Sequence, residues 1–269
     1  MNPLFNEDGS TRRARVLLLG SLGVAVDCAE YLRSRDDLDL LGVVCAQSSR
    51  SAWRVAVDDR NMFDEAERLD LPMFDLESVQ DLQPDLGLSI RFHQILRERH
   101  LESFSLGVVN LHGAPLPEMR GSMCDAAALL EGQPYFGTSI HWMDEGIDEG
   151  DILAVERFPI EPEDTVFDLF QQANSRGFEL IKAHLDDILS GALAGRDQAA
   201  EAEEQGVAIR TYFKDTVMKA RELPAGSTEE EMWATARAFS FPGHDPAQVK
   251  GPSGTMNIWV DPLDRVRQS

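Results

Sequence analysis

At 269 residues and 43% apolar content, the chain can bury a sizeable core as one large domain, or as one large and one small. Its formal charge of −22, from 47 acidic against 25 basic side chains, argues against a nucleic-acid ligand, since the lysines are Lys182, Lys214, Lys219 and Lys250 and no basic patch stands out. Three scattered cysteines, Cys28, Cys45 and Cys124, include no CxxC pair and argue against a disulfide framework or a zinc site.

No apolar run reaches the roughly 18 residues of a membrane span, and the opening MNPLFNEDGSTRR lacks the apolar core of a signal peptide, so the expectation is a cytoplasmic protein without a membrane partner. The acidity fits an ordinary acidic cytosolic protein or a halophilic one, whose acidic surface keeps it solvated in a salty cytoplasm.

Residues 13–20 (RARVLLLG) form an apolar run suited to a central strand buried on both faces. Apolar spacing then predicts a helix over 24–33 and a second strand over 38–46, the opening of a doubly wound α/β sheet. The turn Gly20, Ser21, Leu22, Gly23 lacks the third glycine of GxGxxG, and Ala46 and Gln47 stand where a dinucleotide fold places an acid. It therefore reads as a tight turn feeding a helix.

Residues 48–59, with Arg50, Trp53 and Arg54, read as a surface loop, and 61–69 as a short helix capped near Asn61. An edge strand over 71–74, a helix over 75–82 ended by Pro84, a strand over 86–90 and a helix over about 94–104 follow. Residues 106–111 form the strand that carries Asn110. After the loop GAPLPEMRGSM come a helix around 126–130, a half-buried strand over 136–143 and another over 151–158.

Residues 164–189 carry apolar side chains at helical spacing and form one long helix or two. The Ala, Glu and Gln-rich stretch 193–206 reads as a linker, dividing a domain at 1–192 from a small α+β segment at 207–269 with strands at 209–213 and 255–260 around a helix at 228–239. Phe239, Phe241 and Trp259 on so small a unit suggest a homodimer contact.

The chemistry concentrates between residues 108 and 153. Asn110 and His112 stand two apart at a strand end and leave one face of the backbone, while Asp148 arrives from a separate turn. An amide donor, an imidazole and a carboxylate suit a site that holds an oxyanion and moves a proton. Taken singly, each has a commoner structural reading: a strand-end amide, a core histidine, a turn aspartate. Cys124 is nearest to this group, and a buried structural thiol is its commoner role.

The segments NLHGAPLPEMRG (110–121) and GTSIHWMDEGIDEGDIL (137–153), and more weakly TYFK and RAFSFPGHDPA, resemble the folate-dependent formyltransferases. The resemblance implies a Rossmann-like, mostly parallel α/β sheet and 10-formyltetrahydrofolate as formyl donor, with no metal. It also implies that Asn110 and His112 stabilise an oxyanion, and that Asp148 orients His112 and favours its protonated form. By the same resemblance the pterin lies against Ile90, Arg91 and Phe92 and the backbone of Asp144, Glu145 and Gly146.

The wording looks most like the sugar-nucleotide N-formyltransferases. That implies an amino-dideoxy sugar nucleotide as acceptor, with Arg120, Gly121, Ser122, Trp142, Tyr212 and Phe213 as candidate contacts and Arg120 on the diphosphate. Ser122, Met123 and Cys124 depart from the polar pair that usually follows RG in those enzymes, which points to a different sugar pocket. The alternatives are another small amine as acceptor, a methionyl-tRNA formyltransferase-like activity, which the acidic charge opposes, and a catalytically silent folate-binding protein.

Overall fold

The computed structural model describes residues 4, 12–46, 51–252 and 254–261; Gln47 and Arg50 lie outside them. The chain runs through β1 (Ala14–Gly20), α1 (Gly23–Arg33), β2 (Leu38–Val44), α2 (Ala52–Ala56), α3 (Met62–Arg68), α4 (Val79–Leu82), β3 (Leu86–Ile90), α5 (Glu98–Leu101) and β4 (Gly107–His112). It continues through β5 (Met119–Gly121), α6 (Cys124–Leu130), β6 (Tyr135–Trp142), β7 (Ile152–Pro159) and α7 (Val166–Ser190). The remainder comprises α8 (Gln198–Gln205), β8 (Arg210–Tyr212), α9 (Lys214–Val217), β9 (Glu222–Pro224), α10 (Glu229–Ala238), β10 (Ala247–Gly251) and β11 (Gly254–Ile258).

The central sheet has six strands in the order β2-β1-β3-β4-β6-β7. The first four are parallel, and β6 and β7 complete it antiparallel, so the mostly parallel α/β fold holds. β1 shows why its sequence is apolar throughout. Val16 and Leu18 join the core cluster that includes α1 and α7 residues, while Leu17 and Leu19 join Val79, Phe104 and Val108 on the opposite face. Burial on both faces removes the polar positions of an alternating strand.

The antiparallel β6 matters most for the site, because its register with β4 sets His141 opposite Asn110. α7 is a single helix of 25 residues that packs beneath these strands. Thr165 and Asp168 form its capping box, and Gly191 at φ 75° ends it.

Several expected elements differ. The helix over 94–104 contracts to α5, which starts only at Glu98. The strand over 71–74 reduces to a bridge between Val43 and Met73 beside Pro72, which has no N–H to extend a ladder. Within 48–59, α2 presents Trp53 edge-on to Phe170 and Phe241 and buries Arg54 against Asp59. The final strand is one arm of the β10–β11 hairpin, which β9 joins in parallel.

The chain beyond α7 packs closely on what precedes it. β8 pairs with β5, α10 lies against α6, and Arg196 bridges Ile152 through two backbone hydrogen bonds of 2.9 Å. Phe239 is buried in the cluster built on α6, and Phe241 packs among Trp53, Phe167 and Phe170. Of the three aromatic residues read as a dimer contact, Trp259 alone is exposed, at 61%.

Candidate active site

The carboxyl ends of β3 and β4 and the facing end of β6 bring four polar side chains together. Ser89 on β3 donates its Oγ–H to Asn110 Oδ1 at 2.8 Å, which fixes which way the amide points. Asn110 Nδ2 lies 3.1 Å from His141 Nε2. His141 Nδ1 is 2.8 Å from the Trp142 carbonyl, an acceptor, so that nitrogen carries the hydrogen and Nε2 accepts from Asn110. Among the described residues one of the two Nδ2 hydrogens is engaged in this way, and the second remains for another acceptor.

His112 is governed by the same logic. Its Nε2 donates to the Met119 carbonyl at 2.8 Å, leaving Nδ1 as the nitrogen that titrates. That Nδ1 stands 3.5 Å from Asp148 Oδ2, and His141 Nε2 stands 3.5 Å from Asp148 Oδ1. Burial pushes the Asp148 carboxyl up, but both imidazoles and the Gly121 N–H outweigh it and bring the pKa to about 2. For His112 burial is the larger effect and lowers its pKa below the usual 6.5, against the pull of Asp148. The favouring of protonated His112 by Asp148 is thus present and is overcome by the loss of water around the ring.

Asp148 is held in an uncommon backbone conformation, φ 53°, which a non-glycine residue adopts at a cost of about 1 kcal/mol or more. Two contacts hold it there. Gly121 N donates to Oδ2 at 2.9 Å, and Gln198 Nε2 donates to the Asp148 carbonyl at 2.8 Å. Gly121 itself sits at φ 90°, and an added Cβ would lie 2.1 Å from the Tyr212 carbonyl, so β5 and β8 pair through a position that only glycine fits.

Asn110, His112 and Asp148 open on one cavity of about 440 Å³, whose wall also includes Arg91, Phe92, Gly121 and Ser122. These expected site residues are brought together. Ile90 is fully buried in the core, and Asp144, Glu145 and Gly146 form an exposed turn outside the cavity wall, closed by Gly146 N–H to Asp144 Oδ1 at 2.9 Å. Arg120 turns away from the cavity: its Nε donates to Gln198 at 2.9 Å and its guanidinium lies 3.3 Å from Glu149.

Trp142 packs beside the core and covers Gly107. Tyr212 bonds Glu131 at 3.1 Å and lines a different groove, and Phe213 is exposed. Cys124 lines the same cavity as Asn110, His112 and Asp148, but burial raises its pKa far above the usual thiol value, so it stays a thiol at neutral pH.

The Arg91 guanidinium runs past Gly113, where a Cβ would strike it, and lies 4.8 Å from the Phe170 ring centroid. It borders a second cavity of about 460 Å³ that shares Arg91, Met123 and Asp125 with the first. Lys214 and Arg221 bring further cationic groups to that second cavity, Arg221 beside Asp245, while Trp53, Phe170 and Phe241 give it aromatic walls; burial lowers the pKa of His244, which also lines it.

Sequence reasoning missed His141, Ser89, Gln198 and this basic cavity. For His141 a signal existed: it shares a face of its strand with Ser139, and an antiparallel register against the Asn110 strand would have set the two side chains together.

Residues 57–184 match the formyl transferase family model. Methionyl-tRNA formyltransferase from Halorhodospira halophila is 37% identical over 122 residues, 45% of this chain and 39% of that protein. GDP-perosamine N-formyltransferase from Brucella melitensis is 31% identical over 176 residues, 63% of this chain and 62% of that protein. The chain thus spans between about two fifths and three fifths of the curated relatives it matches. An N-formyltransferase from Helicobacter canadensis, crystallised with folinic acid and dTDP-3-aminofucose, shares the fold at a TM-score of 0.70 and 21% identity, over 85% of this chain and 81% of that one. The family match falls on the elements that carry Asn110, His112, His141 and Asp148, and over that stretch the chain is similar to the formyltransferases.

Proposed function

We propose that the chain transfers a formyl group from 10-formyltetrahydrofolate to the amine of a nucleotide-linked amino-dideoxy sugar. The observation that carries this reading is the convergence of Asn110, His112 and Asp148 on one cavity, with an unused amide hydrogen and a titratable imidazole nitrogen beside an ionised carboxylate. The folate supplies an activated formyl carbon, and the protein supplies the polarity around it.

Asn110 offers its second Nδ2 hydrogen to the formyl oxygen, and that bond strengthens as the oxygen becomes an oxyanion. His112, neutral at rest because burial lowers its pKa, takes the amine's proton at Nδ1 as the new C–N bond forms. The resulting imidazolium lies beside Asp148 and returns the proton to the departing folate nitrogen as the old C–N bond breaks. Each proton taken is given back, so the site ends as it began. Phe92, on the cavity wall, offers an apolar face for the pterin ring.

The basic cavity supports a phosphate-bearing acceptor. In a chain of charge −22, Arg91, Lys214 and Arg221 gather with Asp125 and Asp245 in one hollow next to the catalytic cavity, with aromatic walls for a ring and His244, which burial and Lys214 hold below the usual imidazole value. Arg120, the residue first considered for the diphosphate, is already engaged by Glu149 and Gln198. The ligands of the Helicobacter canadensis enzyme, a folate and an amino-sugar nucleotide, support the same pairing of donor and acceptor.

A second reading, formylation of methionyl-tRNA, is favoured by relatives such as the Halorhodospira halophila enzyme and opposed by the acidic charge. The deciding experiment incubates the protein with 10-formyltetrahydrofolate and either a panel of amino-sugar nucleotides or methionyl-tRNA, at low and high salt, and measures formylated product by mass spectrometry. Formylation of a sugar nucleotide and not of the tRNA is the expected result. Formylation confined to the tRNA would replace this reading with the second, and a requirement for salt would support adaptation to a salty cytoplasm.

A further inference from the structure

Residues 193–206 look from the sequence like a linker, yet the buried side chain of Gln198, at the start of α8, makes three hydrogen bonds at the back of the catalytic turn. Its Nε2 donates to the carbonyls of Asp148 at 2.8 Å and Gly150 at 2.7 Å, and its Oε1 accepts from Arg120 Nε at 2.9 Å. All of its polar capacity toward protein is therefore directed at two segments. One carries Asp148; the other carries Gly121, whose N–H holds the Asp148 carboxylate.

Asp148 needs such support. Its left-handed backbone is costly for a side chain with a Cβ, and such a conformation persists only where the surroundings over-determine it. Gly121 fixes the carboxylate end of the residue, and Gln198 fixes the carbonyl end. α8 is itself anchored: Asp197 caps it by accepting from Ala200 N, and Arg196 bridges Ile152 at the start of β7.

We propose that Gln198 is a positioning residue for the reaction, holding Asp148 between His112 and His141 through its two amide donors. The inference rests on the function proposed above. Both histidines face Asp148 at 3.5 Å, a separation at which a shift of the turn by about 1 Å changes the carboxylate's contact with the rings and misplaces a catalytic group enough to cost up to a hundred-fold in rate. Around His112 the groups that matter are Asp148 from this turn, His141 from β6, the Met119 carbonyl from β5 and Arg91 following β3. Asp148 is the member of that set whose charge favours protonation, so letting it drift leaves burial, His141 and Arg91 to lower the imidazole further.

Two near-isosteric variants separate the parts played by the side chain. Gln198→Met keeps volume and neutrality but removes every hydrogen bond. Gln198→Glu keeps an acceptor for Arg120 and replaces the two donors with an oxygen that repels the Asp148 and Gly150 carbonyls. Both should lower kcat about ten- to a hundred-fold, with KM for the acceptor nearly unchanged.

In an NMR titration of labelled histidine, which needs no substrate, His112 in Gln198→Met should titrate at lower pH than in the parent protein. The acid limb of its kcat profile should move the same way. If no sugar nucleotide is formylated by the parent protein, the functional reading fails while the titration still decides the role of Gln198. Retention of full turnover by Gln198→Glu, or an unmoved His112 titration in Gln198→Met, would overturn the proposal.

Discussion

The two cavities that meet at Arg91, Met123 and Asp125 differ in the polar side chains they do not share. The wall of the first carries Asn110, His112 and Asp148, with His141 packed behind them, all fixed by hydrogen bonds to backbone or to each other. The second adds longer cationic side chains: Lys214, and Arg221, whose ion pair with the exposed Asp245 is 3.4 Å long. Rigid short groups suit a reacting centre, where placement within a fraction of an ångström sets the barrier. Long cationic groups suit charge recognition, where steering matters more than exact placement. The difference argues for one ligand that reacts at one end and is held by its charge at the other.

The strongest way to break this contrast is to remove a group from the first cavity. Asn110→Ala, His112→Ala and Asp148→Asn should each lower kcat by roughly two to four orders of magnitude, with folding intact by circular dichroism. Steady-state kinetics on the purified variants checks this, and near-normal turnover in His112→Ala would move the chemistry elsewhere.

Titration sharpens the same point. Burial sets the folded His112 below 6.5, and its neutral form is the base, so kcat/KM should rise with pH through a value under 6.5 and then level off. Asp148, at about 2, stays ionised across that whole range and adds no second limb. A pH profile measured on the parent protein tests the order of the two groups.

A smaller effect is expected in the second cavity. Lys214→Ala and Arg221→Ala should raise the acceptor's KM about ten- to a hundred-fold in combination, leaving the KM for the folate and the kcat close to those of the parent. A matching rise in the folate's KM would show that the two cavities do not divide the ligands as argued. Smallest of all, Arg120→Ala should leave the acceptor's KM within about three-fold, because its guanidinium already faces Glu149 and Gln198. Its measurable effect is expected on thermal stability.

What could be read from the chain follows the range of the interactions involved. The parallel strands declare themselves because burial on both faces demands an unbroken apolar run, as in residues 14–20, and α7 declares itself through long helical periodicity. Asn110 and His112 are legible because a strand end fixes their relation locally. His141 is not, since it meets Asn110 through the register of an antiparallel pair 31 residues apart. Gln198 hides further still, its hydrogen bond to Asp148 closing a separation of 50 residues from within a stretch whose composition says linker. Arg91 stands beside the folate only by what the resemblance implies; the left-handed backbone there sends its guanidinium past Gly113, where it lines both cavities.

The most direct measurement is a crystal structure of the protein with an amino-sugar nucleotide and an analogue of 10-formyltetrahydrofolate that carries its formyl group on a carbon in place of N10, bound together. The account predicts the formyl oxygen within hydrogen-bonding distance of Asn110 Nδ2, the acceptor amine facing His112 Nδ1, and the diphosphate against Lys214 and Arg221. A diphosphate on Arg120, or a formyl group remote from Asn110 and His112, would contradict it.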